Sequence, residues 1–174
     1  MSPAILKIRQ RHFLKSKDKK IFFALLASFF PGEESKAQEM VPSKSRIEWV
    51  KLDQNQELYA VDGVLAFWLN EGKLIPLLSF LRDHNTPFKA VHVDLGAIKF
   101  VSKGADVMCP GITTIDSTIE KGDIVLIKDP NHNRVLAVGE ALYAAAQMKT
   151  METGKVIKAI HSITDNIWAF SKDF

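Results

Sequence analysis

Val93-Asp94-Leu95-Gly96-Ala97-Ile98-Lys99-Phe100-Val101-Ser102-Lys103-Gly104-Ala105-Asp106-Val107-Met108-Cys109-Pro110-Gly111-Ile112 is the stretch that decides how this chain is read. Asp94 is placed to cap a short helix over 95–103, Ile98 and Val101 to face a core at i, i+3, and Gly104 to take the left-handed position past the helix end. Lys99 and Lys103, four residues apart, then share one helix face beside a glycine turn. Gly111 follows the next extended stretch. Two ammonium groups beside backbone that a glycine opens to close approach suit phosphates or a nucleotide edge. On spacing alone, solvated lysines and turn glycines account for the same pattern.

Downstream, turn signals at Lys121-Gly122-Asp123, Asp129 to Asn133, Thr153-Gly154 and Asp165-Asn166 separate apolar, β-branched runs at 124–127, 134–141, 156–163 and 167–170. Evenly spaced short strands of this kind suggest a small β-barrel or sandwich; a mostly antiparallel barrel over 91–174, with the 95–103 helix packed on it, is the expectation.

Upstream the style differs. Residues 5–14 alternate loosely between apolar and basic (Ile5, Lys7, Ile8, Arg9, Arg11, Phe13), as an edge strand with a solvated basic face would. Ser16 is a plausible N-cap for a helix over 17–30 that carries Ile21, Leu25 and Phe29, with Phe22, Leu26 and Phe30 alongside; Pro31-Gly32 ends it. Strands follow at 46–52 and 57–61, Asp62-Gly63 signals a tight hairpin into 64–69, and Pro76 opens a helix with Leu77, Leu78, Phe80 and Leu81 on its apolar face. The fold class is therefore α+β: an amino-terminal mixed α/β domain over 1–88, then a β-rich domain over 89–174, with the seam near Thr86-Pro87-Phe88.

Composition narrows the function. Of 174 residues, 47% are hydrophobic and 25% charged, which argues against disorder, collagen-like repeats and coiled coil. Cys109 is the only cysteine, so no internal disulfide forms, and no CxxC or HExxH spacing offers a metal site. These features fit a reducing, cytoplasmic setting. Lys19-Lys20 before Ile21–Phe30 imitates a secretory signal, but it starts late, lacks a cleavage site and is too short to span a membrane. The net charge of +3 hides an asymmetry: residues 1–20 hold seven Lys/Arg against one acid, residues 91–174 nine against ten. Long-range attraction for an anionic polymer thus belongs to the amino-terminal segment, with Lys7, Arg9 and Arg11 as a secondary basic site.

The run Asp94, Gly-Ala-Ile-Lys-Phe-Val (96–101), Gly104-Ala105, Met-Cys-Pro-Gly (108–111), Gly122-Asp123-Ile124-Val125, Val138-Gly139-Glu140-Ala141, His161 and Trp168 resembles a PUA domain, an RNA-binding pseudobarrel. It spans nearly all of residues 91–170 and implies a PUA-type β-pseudobarrel for the domain over 89–174. The whole chain is similar to the malignant T-cell amplified sequence family and its archaeal relatives, which place a pre-PUA domain before the PUA domain. The Lys-rich start, Phe30-Pro31-Gly32, Met40-Val41-Pro42, the Val-Asp-Gly hairpin at 61–63 and the segment through Pro76 carry that part of the resemblance.

The resemblance implies a translation factor that contacts the small ribosomal subunit and RNA (tRNA or rRNA) during initiation or recycling, with a protein partner of initiation-factor type and no chemical step. It places the RNA-facing side on Lys99, Lys103, Gly104, Ala105, Asp106, Met108 and Gly111. The slightly acidic balance of this half argues for binding shared with the basic segment or a partner. The rival implication is an accessory module that presents RNA to a separate modifying enzyme; a scaffold that has lost RNA binding is a third. No catalytic residue, metal or cofactor is expected: Asp94, Asp106 and Asp123 have roles as caps or turn residues, and Cys109 before Pro110-Gly111 reads as a small buried residue at a turn.

Overall fold

Alternating residues joined by tight turns build the first half of the chain. The computed structural model describes residues 4–174, so residues 1–3 of the expected first domain lie outside the described residues. The chain divides into two compact units, one running to Pro87 and including Phe170–Phe174, the other Phe88–Ala169.

In the first unit β1 (Ile8–Phe13), β2 (Ile47–Leu52), β3 (Glu57–Val61), β4 (Val64–Asn70) and β5 (Lys73–Pro76) form an antiparallel sheet in chain order. Helices α1 (Ser16–Ala27) and α2 (Ser35–Met40) lie between β1 and β2, and α3 (Leu78–Leu81) follows β5. Asp62 and Gly63 both take positive φ, 48° and 87°, as the expected tight hairpin requires. Glu71 and Gly72 do the same at 51° and 78°, making a second hairpin that composition did not signal. The resulting fifth strand corrects one expectation. Pro76 is not in a helical first turn but ends β5 opposite Phe67, on an edge strand where a missing N–H leaves no ladder bond broken.

The apolar stripe of α1 is buried one residue away from the expected row. Phe22 and Leu26 are fully buried and Phe30, beyond the helix end, is buried as well, whereas Ile21 is 54% exposed. The sheet's aromatic residues decide this: Phe22 lies 5.1 Å from the Tyr59 ring and 5.7 Å from Phe67, which in turn meets Phe80 at 5.4 Å. Ser16 is not the N-cap; it is the first helical residue, after an extended Lys15 that makes no side-chain cap bond. Asp18 in the first turn supplies a favourable charge instead. Lys19 Nζ donates to the carbonyls of Ser43 and Ser45, each at 2.9 Å, which fixes the loop entering β2. Among the described residues no helix is long and apolar enough to cross a membrane.

The second unit curls one six-stranded sheet into a nearly closed barrel, in the order β7 (Val107–Met108), β11 (Lys155–Ser162), β10 (Val135–Ala141), β9 (Ile124–Lys128), β6 (Ala90–Val93), β8 (Ile112–Ile115). All pairs are antiparallel except β6 with β9. Val91, Val93, Val101, Ile127, Ala137 and Ile157 fill its core. Three short helices decorate it: α4 (Ile98–Val101), entered through a 3-10 turn at Leu95–Ala97, α5 (Ala145–Met148) and α6 (Asn166–Ser171).

The strand expected at 167–170 is α6 instead. Asp165 accepts a hydrogen bond from the Trp168 N–H at 2.7 Å and starts the helix, and four apolar residues alone do not distinguish strand from helix. Gly139 sits where β10 shifts register against β11, and a Cβ there would lie 2.7 Å from the Lys158 carbonyl oxygen and 2.5 Å from Ile157 Cγ2. Gly139→Ala is accordingly expected to destabilise the protein by about 1–3 kcal/mol. A lower melting temperature with an unchanged circular-dichroism spectrum at low temperature is the expected readout.

Candidate nucleic-acid interface

Both ends of the helical segment that carries the candidate lysines are closed by hydrogen bonds. At its start Asp94 Oδ1 accepts from the Ala97 N–H at 2.8 Å, and the Asp94 N–H donates to the Gly111 carbonyl at 2.8 Å, binding the cap to the end of the Cys109–Gly111 turn. At its end Gly104 adopts φ +93°, with its N–H donating to the Val101 carbonyl at 3.0 Å and the Ala105 N–H to the Phe100 carbonyl at 3.0 Å. This paired pattern over a left-handed glycine is a Schellman closure. The regular helix runs to Val101, and Lys103, its expected last residue, is the cap that precedes the left-handed glycine.

The loop that follows is pinned to β11. The Asp106 carboxylate accepts from the Ala159 N–H at 2.8 Å and pairs with Lys155 Nζ at 2.8 Å. Thr164 Oγ1 donates to the Lys103 carbonyl at 2.9 Å. A Cβ on Gly104 would stand 3.1 Å from Ser162 Oγ, so glycine serves both the turn and the close approach to β11. Asp106 positions this loop, and its charge is already matched by Lys155.

Lys99 and Lys103 are exposed at opposite ends of this turn. The Lys99 ammonium lies 4.9 Å from the centroid of the Phe100 ring, and neither lysine is in an ion pair among the described residues. Two clefts border the Gly104–Asp106 loop. One, of about 280 Å³, is lined by Ala97, Phe100, Val101, Ala105, Val107, Met108 and Gly111, with only Asp106 polar. The other, of about 260 Å³, is polar and lined by Lys103, Gly104, His161, Ser162, Thr164 and Asp165 among others. Of the expected RNA-facing set, Ala105, Asp106, Met108 and Gly111 line the apolar cleft and Lys103 and Gly104 the polar one, whereas Lys99 lies on the helix beside Phe100 and lines neither.

Two groups escaped the sequence reading. Phe100, 59% exposed, stands beside Lys99 and off the Ile98/Val101 core stripe, which was the signal available. Ser162 and Thr164 come from β11 and the turn after it, about sixty positions downstream in sequence.

The secondary basic site divides in two. Lys7 and Arg9 are exposed, whereas Arg11 is committed to Glu48, with Nε 2.5 Å from Oε1 and Nη2 3.1 Å from Oε2. Cys109 is half-buried and donates from Sγ to the Met151 carbonyl at 3.0 Å. Asp123 accepts from Lys89 Nζ at 2.7 Å and from the Glu120 N–H at 2.8 Å. Among the described residues no three His, Cys, Asp or Glu side chains are grouped to hold a metal.

Two carboxylates that line these clefts, Asp106 and Asp165, are held below their ordinary range. Burial raises the Asp165 carboxyl, but hydrogen bonding and charge from His161, with the N–H groups of Trp168 and Ser162, hold it below its ordinary value. The Lys155 side chain, followed by the Ala159 N–H, holds Asp106 down as well. A depressed folded-state pKa contributes stability that is present above the unfolded value of about 3.9 and lost as pH falls through the folded value. Melting temperature is expected to hold down to about pH 4 and to drop below it. Asp165→Asn should flatten that acid limb, which a series of melts against pH will measure.

Comparison with known proteins gives a consistent result. A family described as "PUA domain" matches residues 89–163, and one described as "Pre-PUA-like domain" matches residues 5–84. Translation machinery-associated protein 20 of Saccharomyces cerevisiae is 35% identical over 170 residues, covering 94% of each chain. Malignant T-cell-amplified sequence 2 of Mus musculus is 34% identical over 149 residues, covering 82% of this chain and 81% of its own. Among solved structures, a hypothetical protein from the hyperthermophilic archaeon Pyrococcus horikoshii superposes with a TM-score of 0.82 at 32% identity, covering 93% of this chain and 99% of that one.

Proposed function

The chain belongs to the family that joins a Pre-PUA-like domain to a PUA domain, shared by translation machinery-associated protein 20 and the malignant T-cell-amplified sequences, and from that premise we propose an RNA-binding protein of the translation machinery. It contacts the small ribosomal subunit and tRNA during initiation or recycling, carries out no chemical step of its own, and works in the cytoplasm beside a protein partner of initiation-factor type.

The observation that carries this reading is the pinned helix-and-glycine turn. It presents Lys99 and Lys103 to solvent, without ion partners among the described residues, and two clefts border the loop that follows them. Lysines held on a rigid turn meet phosphates at fixed spacing, and the clefts leave room for what the phosphates carry. The basic start of the chain adds attraction that depends on salt and not on sequence, chiefly through Lys7 and Arg9. The residues 1–88 and 89–174 act as two domains under this reading, with RNA contact centred on the second.

Co-sedimentation with ribosomes at moderate salt tests the proposal. Recovery of the full chain with the small subunit, reduced in a Lys99→Ala/Lys103→Ala variant, is the expected result. Binding to free RNA with no ribosome association would assign the chain instead to RNA presentation for another enzyme.

A further inference from the structure

The two edge strands of the first unit's sheet are finished differently. β5 is four residues long and ends on Pro76, and a short edge that lacks a donor does not pair further. β1, at the other edge, runs six residues without a proline, and all six are exposed. Its ladder to β2 uses only part of its backbone. The Leu14 N–H donates to the Ile47 carbonyl at 2.8 Å, in the register that sets Phe13 opposite Glu48 and Arg11 opposite Val50. By the alternation of an antiparallel ladder, Arg11 and Phe13 then turn their backbone N–H and C=O groups away from β2, and among the described residues no strand or side chain bonds to them.

We propose that β1 is a docking edge for an extended acidic segment of a protein partner, which adds a strand beside Arg11 and Phe13 and sets Asp or Glu side chains against Lys7 and Arg9. The inference rests on the functional reading above only in giving its protein partner a surface. Lys7 and Arg9 are exposed and without ion partners among the described residues, whereas Arg11 is committed to Glu48 and to the Phe174 ring, 4.6 Å from its guanidinium. Ile8 and Phe13 are 42% and 50% exposed, so an added strand also has apolar side chains to cover. The charge decides between occupants. A second copy pairing edge to edge would bring Arg9 and Arg11 of each chain against their counterparts, and like charges on facing strands are destabilising. RNA phosphates would satisfy the cations but leave the outward row of backbone donors and acceptors unmatched, which an extended polypeptide pairs by strand addition.

The test separates strand addition from charge attraction. Fluorescence anisotropy of a labelled short peptide of alternating Glu and Val, titrated with the full chain in the absence of RNA, measures docking, and amide hydrogen exchange followed by NMR locates it. The peptide is expected to bind, and the Arg11 and Phe13 amides, open to exchange in the free chain, to become protected. Lys7→Glu/Arg9→Glu should weaken binding by about 5- to 30-fold, the worth of two exposed charge pairs. Both positions are exposed, so the melting temperature should hold. The same peptide with Lys in place of Glu should not bind.

Failure of the acidic peptide to bind, or binding that leaves the Arg11 and Phe13 amides exchanging as before, would overturn the proposal; the second result would reduce β1 to a charged surface. Amides already protected in the free chain, and more so at higher protein concentration, would overturn it in favour of a second copy. Protection by a short single-stranded RNA and not by the peptide would overturn it in favour of RNA. Because the peptide titrations contain no RNA, their failure leaves the reading of Lys99 and Lys103 standing, and a failed RNA titration leaves this one.

Discussion

Phe22→Ala is expected to lower the stability of the first unit by about 3–5 kcal/mol, the range for truncating a buried Phe in a packed core. The size follows from where the ring sits. Phe22 is 1% exposed, meets Tyr59, Phe67 and Phe23 at ring distances of 5.1–5.7 Å, and is the residue through which α1 faces the centre of the sheet. Removing it leaves a cavity bounded by rigid aromatic rings that collapse poorly, so the cavity term adds to the lost transfer energy. Against a total stability of typically about 5–15 kcal/mol, that loss is a large fraction. Ile21→Ala, one residue earlier and 54% exposed, should stay within about 0.5 kcal/mol. Urea denaturation of both variants checks the pair. Similar midpoints for the two would mean that the 22/26/30 row is not the one that holds the helix.

That contrast marks where the sequence was legible and where it was not. Period-2 alternation, Asp62-Gly63 and the basic edge were enough to read four of the five strands of the first unit, because each local signal agrees with the pairing it ends up in. The choice between two adjacent apolar rows on α1 was not local. Tyr59 and Phe67, which decide it, lie more than thirty residues away in sequence. β5 was missed because Glu71-Gly72 is a weak hairpin signal and Pro76 reads equally as a helix start. The same ambiguity hid α6, whose four apolar residues read equally as strand and whose first turn is capped by Asp165.

In the candidate site the caps were readable from single residues. Asp94 accepts at the helix start and Gly104 takes the left-handed turn, as their types require. The clefts were not readable, since they arise where α4, β7 and β11 meet around a loop that Asp106 fastens to Ala159, fifty-three positions away. Asp106 shows the difference most plainly: its type suggested a cap or turn residue and the resemblance set it on the RNA-facing side, and its geometry makes it a clasp between the loop and β11.

The account rests centrally on Lys99 and Lys103 as phosphate ligands. Both are exposed, both lack ion pairs among the described residues, and the turn that carries them is closed at each end, so little ordering is left to do when RNA binds. If each neutralises one phosphate, replacing both with alanine removes two released counterions from the binding equilibrium. The magnitude of the log-affinity against log-salt slope should then fall by about 1.4 for a single strand or 1.8 for a duplex. Referred to a 1 M standard, that is a loss of roughly 25- to 60-fold in affinity at 0.1 M salt. Exposed lysine truncations change stability by no more than about 0.5 kcal/mol, so unfolding does not supply an alternative cause. The salt series with tRNA, run on the wild type and on Lys99→Ala/Lys103→Ala, is the most direct measurement. A slope reduced by that amount with an unchanged melting temperature is the predicted result; an unchanged slope would contradict the account and move the RNA contact to Lys7 and Arg9.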